Sequence, residues 1–107
     1  MNFKNLDFAP GKITYDGFDI DPAMPFEEQI YSLRQDLFQV SYGDQYTLDI
    51  GWLPDLDPKG NFIICVIRDY DWEAPIYRKQ TNDLKQVDEF VKECAELVKN
   101  FLNKEEL

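Results

Sequence analysis

The chain has 107 residues, with 21 acids against 11 bases, a net charge of −10 and no histidine. That length holds one domain around one core, and 8 Phe, 6 Tyr and 2 Trp within a 44% apolar composition are enough to pack it, which excludes a disordered chain. The charge excludes nucleic acid and anionic membranes as direct ligands, since both would be approached against repulsion, and it favours a basic protein partner.

In chain order, residues 1–8 are expected as a loose arm, broken off by Ala9-Pro10-Gly11. A short strand over 12–15 meets the turn signal Asp16-Gly17, and extension resumes at Phe18-Asp19-Ile20. A small hairpin and one bulged strand both fit. After Pro22 and Pro25, the positions Phe26, Ile30, Leu33, Leu37 and Phe38 repeat at helical spacing. Pro25 suits a first helical turn, Glu27-Glu28 its positive dipole end and Gly43 its C-terminal cap, so a helix is expected over about 25–42.

Residues 45–79 read as three strands joined by acidic turns, and the rest of the chain is expected to be arranged around them. Tyr46, Leu48, Ile50 and Trp52 alternate with Thr47, Asp49 and Gly51, as in a half-buried strand. Phe62-Ile63-Ile64-Cys65-Val66-Ile67 is apolar on both faces, as in a central strand. The third strand, over 76–80, follows Pro75 and carries Arg78-Lys79, which suits a protected edge. A closing helix starts after Thr81-Asn82-Asp83, where Asp83 and Gln86 have capping-box spacing. Its stripe of Leu84, Val87, Phe90, Val91, Cys94, Leu97, Val98, Phe101 and Leu102 faces a core, and residues 103–107 are expected to fray. The expected fold is α+β: a single domain with an antiparallel three- to four-stranded sheet, a central meander, packed against two helices.

Several chemistries lack their residues. Without histidine there is no usual general base, no Ser-His-Asp arrangement and no histidine metal site. The five glycines are scattered and form no phosphate loop. Cys65 and Cys94 each fall within apolar patterns and are expected as reduced core thiols. Asp19/Asp21, Asp55/Asp57 and Asp69/Asp71 each place two carboxylates on one side of an extended segment, but counts from Asp55 and Asp69 miss the calcium-loop positions at Lys59, Val66, Ala74 and Gln80. No catalytic residue, metal or cofactor is expected. No apolar run nears the ~20 residues of a membrane helix, and the first residues carry no secretory pattern, so a cytoplasmic location is expected.

Recognition remains. Residues 44–73 hold seven acids and two bases, half of the net negative charge in under a third of the chain. Asp69-Tyr70-Asp71-Trp72-Glu73 interleaves acids with aromatics in one strand connection, and Asp55-Leu56-Asp57 lies in the other. Rings serve as interface anchors and rim carboxylates steer cationic partners, so Asp55, Asp57, Asp69, Tyr70, Asp71, Trp72 and Glu73 are the candidate contact residues. Antiparallel pairing places the two connections at opposite ends of the meander. With Tyr46–Trp52, Gly60-Asn61-Phe62, Asp71-Trp72-Glu73-Ala74-Pro75 and a closing helix, the chain resembles the immunity proteins of bacterial polymorphic toxins, of the contact-dependent growth inhibition type. The resemblance spans about residues 42–102 and implies a non-enzymatic inhibitor that binds one cognate toxin domain, often a nuclease. The alternatives are a small carboxylate- or metal-dependent enzyme and a generic acidic adaptor subunit.

Overall fold

Period-two patterning builds the sheet at the centre of the molecule. In the computed structural model, which describes residues 3–105, strands β1 (Lys12–Asp16), β2 (Phe38–Tyr42), β3 (Tyr46–Leu53), β4 (Asn61–Arg68) and β5 (Tyr77–Thr81) pair antiparallel in sequential order. One long helix, α1 (Leu84–Glu105), covers one face of the sheet. The α+β class and the single domain stand as expected, but the sheet has five strands and the helical layer one helix.

The expected helix over 25–42 does not form. Two 3₁₀ turns, Phe26–Glu28 and Ile30–Ser32, are followed by extended chain and then β2. The backbone groups find better partners in β3: Leu37 N–H donates to the Ile50 carbonyl at 2.9 Å, and Trp52 N–H to the Arg34 carbonyl at 2.8 Å. Gln29, 9% exposed, holds the approach by bonding the Asp21 N–H and the Asp21 and Met24 carbonyls at 2.9–3.0 Å. The overlooked signal is Phe38-Gln39-Val40-Ser41-Tyr42, whose strict alternation is that of a half-buried strand. Gly43 caps no helix; it takes φ +61° in the tight β2–β3 turn, where a glycine is free to go.

The arm is anchored, not loose. Phe3 is buried and packs edge-on to Phe18 and Phe38, with ring centroids 4.9 and 5.1 Å apart. Its N–H donates to the Asp88 carboxylate at 2.9 Å, Lys4 bonds the Phe18 carbonyl and Asp16, and Lys99 reaches the Asp7 carbonyl. Residues Met1 and Asn2 of that arm, and Glu106 and Leu107 of the expected frayed tail, lie outside the described residues; Asn103 to Glu105 continue α1. Neither reading of residues 12–20 holds in full: β1 pairs β2 with a register shift between Ile13 and Tyr15 and ends at Asp16, and Phe18-Asp19-Ile20 adds no strand.

α1 begins where Asp83 accepts the Lys85 N–H at 2.9 Å, so Asp83 caps it. Gln86 does not complete a capping box; its side chain bonds the Thr81 hydroxyl. Val87, Val91, Cys94, Ala95 and Val98 join Leu48, Ile50, Trp52, Phe62, Ile64 and Val66 in one buried core. Each large apolar side chain so buried stabilises the fold by roughly 1.5–3 kcal/mol, which is why the helix stripe outweighs its surface charge pattern. Cys65 and Cys94 are both free and buried; Cys94 lies in the core as expected, whereas Cys65 points to the other side of the sheet.

Candidate binding face

The same strands present a second face, and no helix among the described residues covers it. Register places Gln39 of β2, Asp49 of β3, Cys65 of β4 and Arg78 of β5 side by side in one row across the sheet. A parallel row runs from Ser41 through Thr47 to Ile67, and another joins Gly51, Ile63 and Gln80.

A local irregularity shapes this face. Between Arg34, which accepts from Trp52, and Leu37, which donates to Ile50, the residues Gln35 and Asp36 bulge out of the ladder. The bulge lies directly over Gly51: a side-chain carbon there would sit 2.0 Å from the Gln35 carbonyl oxygen. Gly51 is therefore required for close approach, and the bulge sets the Asp36 carboxylate beside that of Asp49.

The result is a cleft of about 370 Å³. Its floor is Gly51, Ile63, Cys65 and Ile67; Trp72 and Pro75 of the β4–β5 connection, with Asp36 and Asp49, form its sides. Two shallower hollows continue it past Tyr15 and Gln39 and towards Asp55, sharing Asp36 with it.

Burial tunes the groups in the row. Desolvation pushes the Asp49 carboxyl up to about 6; the bond it accepts from Gln39 Nε2 at 3.0 Å opposes this, and the charge of Asp36 adds to it. Desolvation and the adjacent Asp49 push the Cys65 thiol up to about 12, although Arg78 pulls the other way, so it is held as a thiol rather than a nucleophilic thiolate. Among the described residues, no three carboxylates or cysteines converge as a metal-holding group, and the three Asp-x-Asp pairs stay apart from one another.

The structure divides the contact residues expected from sequence. Trp72, 49% exposed, lines the cleft, and Asp55 borders its extension while accepting the Gln35 N–H at 2.9 Å. Asp57 serves the β3–β4 turn: its carboxylate accepts the Lys59 N–H and its carbonyl the Trp52 indole N–H. Asp69, Tyr70, Asp71 and Glu73 project from the other end of the sheet, beside the β2–β3 turn. There Asp69 and Tyr70 both hold left-handed backbone, φ 52° and 60°, closing a turn in which Asp71 N–H reaches the Arg68 carbonyl at 3.0 Å. The Tyr70 hydroxyl donates to Asp44 at 3.1 Å.

The chain matches no family model, no curated protein and no solved structure. The geometry of its uncovered face is thus what a functional reading has to rest on. That face adds Asp36, Asp49, Cys65 and Arg78, which sequence reasoning missed. Asp49 carried one faint signal: it is the only charged side chain in the strand Tyr46–Trp52. Asp36 carried none, because its position depends on a bulge within a segment whose periodicity reads as helix.

Proposed function

We propose that this chain is a cytoplasmic, non-enzymatic immunity-type protein that neutralises a basic toxin domain, a nuclease being the natural candidate, by docking it on the helix-free sheet face. The observation carrying the reading is that this face combines an open cleft with Asp36, Asp49 and Asp55 and a half-exposed Trp72, in a chain of net charge −10. Aromatic anchors within a carboxylate rim suit a partner whose own surface must be cationic to hold nucleic acid. The acids of the β4–β5 connection flank the face at one end and act at longer range, speeding encounter rather than making the central contact.

The test is co-purification with the C-terminal domain of a toxin encoded immediately beside the chain's own reading frame, followed by titration at low and high salt. Tight binding that weakens as salt rises, together with loss of toxin activity, supports the reading. Failure to bind any neighbouring toxin domain, or binding indifferent to salt, overturns it.

A second reading has its own observation: a carboxyl held at about 6 within a cleft is the kind of group that serves as a general base. On that reading Asp49 abstracts a proton from a small substrate. Turnover abolished by Asp49→Asn would establish it in place of the first.

A further inference from the structure

We infer, resting on the docking function just proposed, that the cleft takes one arginine side chain of the partner, its guanidinium against Asp49 and Asp36 and its stem along Trp72. Charge selects a cation. Asp49 sits at the centre of the sheet, flanked in register by Gln39 and Cys65, and joins no ion pair among the described residues. Gln39 Nε2 supplies one hydrogen bond to its Oδ1 at 3.0 Å. Arg78, on the far side of Cys65 in the same row, also lines the cleft, but its guanidinium is engaged by the Gln80 Oε1 at 3.4–3.5 Å, and the two carboxylates outnumber it. Asp36 adds a second carboxylate at the rim. A neutral or anionic guest would leave the Asp49 carboxylate without an ionic partner in a partly desolvated place.

Shape selects arginine over lysine. Ile63 and Ile67 offer an apolar floor for an aliphatic stem. The half-exposed indole of Trp72 gives a flat wall on which a planar guanidinium stacks, while a carboxylate meets its two parallel N–H donors. An ammonium is more strongly hydrated, has no plane to stack and loses more on leaving water.

The same contact makes occupancy sensitive to pH. The charged or titratable groups facing Asp49 are Asp36 from the bulge, Cys65 from β4 and Arg78 from β5. With its carboxyl held at about 6, Asp49 becomes charged, and so attractive to the guest, as pH rises to neutrality.

The probe is N-acetyl-arginine amide, titrated into the intact protein while the indole N–H resonance of Trp72 is followed by NMR. Loss of one of two indole signals in Trp72→Phe assigns it, since the other belongs to buried Trp52. Saturable shifts are expected with the arginine probe, about tenfold weaker with the lysine analogue, and absent with the uncharged citrulline analogue. Asp49→Asn is expected to weaken the arginine probe by about tenfold and to abolish its weakening between about pH 7.5 and about pH 5. Trp72→Ala, read by backbone shifts of Cys65 and Ile67, is expected to weaken it about fivefold.

Equal response to all three probes, or an Asp49→Asn variant that binds as the unaltered chain does, overturns the inference. The two proposals fail separately. If a toxin domain binds the chain but Asp49→Asn and Trp72→Ala leave its affinity unchanged, the arginine site is wrong and the docking function stands. If the arginine probe binds as described but no toxin domain does, the cleft chemistry stands and the toxin reading falls.

Discussion

Asp49→Asn separates the two demands made on this face, and its effect on stability follows from the structure. The Asp49 carboxyl is mostly buried on β3 and is held at about 6 against an ordinary 3.8, chiefly by desolvation. The folded chain therefore binds this proton more tightly than the unfolded chain does. The associated stability is fully present below about pH 4 and is lost as pH rises through about 6. Each tenfold change in that equilibrium is worth about 1.4 kcal/mol, so the loss at neutral pH approaches ~3 kcal/mol, less whatever solvent screens. Asparagine has nearly the same shape, still accepts the Gln39 amide and never ionises. The variant is expected to be more stable than the parent by about 1–3 kcal/mol at neutral pH and to match it near pH 4. For a domain of this size that is a rise in Tm on the order of 4–20 °C at neutral pH. Urea denaturation followed by circular dichroism, run for both proteins across this pH range, measures the difference directly. A stability difference that does not change with pH would refute the burial argument, and a variant less stable than the parent at neutral pH would reverse its sign. A carboxyl kept at such a cost to the fold fits the binding role proposed for Asp49.

Three further variants probe the fold and its flanks. Gly51→Ala is expected to destabilise by about 1–3 kcal/mol because the new methyl meets the Gln35 carbonyl oxygen, which as backbone cannot move aside. Strand propensity alone calls for a gain of about 0.5–1 kcal/mol, so the sign of the change in chemical denaturation decides between them. Phe3→Ala is expected to cost about 3–5 kcal/mol by emptying the space between Phe18 and Phe38, and a loss below about 1 kcal/mol in the same assay would return the N-terminal segment to a loose arm. Replacing Asp69, Asp71 and Glu73 together by serine is expected to slow association with the proposed basic partner about tenfold at low salt while leaving dissociation nearly unchanged, as stopped-flow mixing would show. An altered dissociation rate would instead place these residues in the central contact.

What the sequence determined by itself was set by short-range rules. The apolar run at Phe62–Ile67 had to be a central strand, the alternation from Tyr46 to Trp52 a half-buried one, and the stripe from Leu84 to Leu102 a core-facing helix. Strand and helix periods are local properties, and each of these segments satisfies only one of them. Where a segment satisfies both, pairing with a distant partner decides: Phe26, Ile30, Leu33 and Leu37 are spaced for a helix, but β3 offered Arg34 and Leu37 backbone bonds that a helix would forgo. The candidate face is the strongest case of such a decision. Asp36, Asp49, Cys65, Trp72 and Arg78 come from five separate places in the chain and meet only through strand register, one bulge and the fold of the β4–β5 connection. No spacing within the sequence encodes that meeting, because it is fixed by which backbone groups bond across the sheet and by which face α1 leaves uncovered.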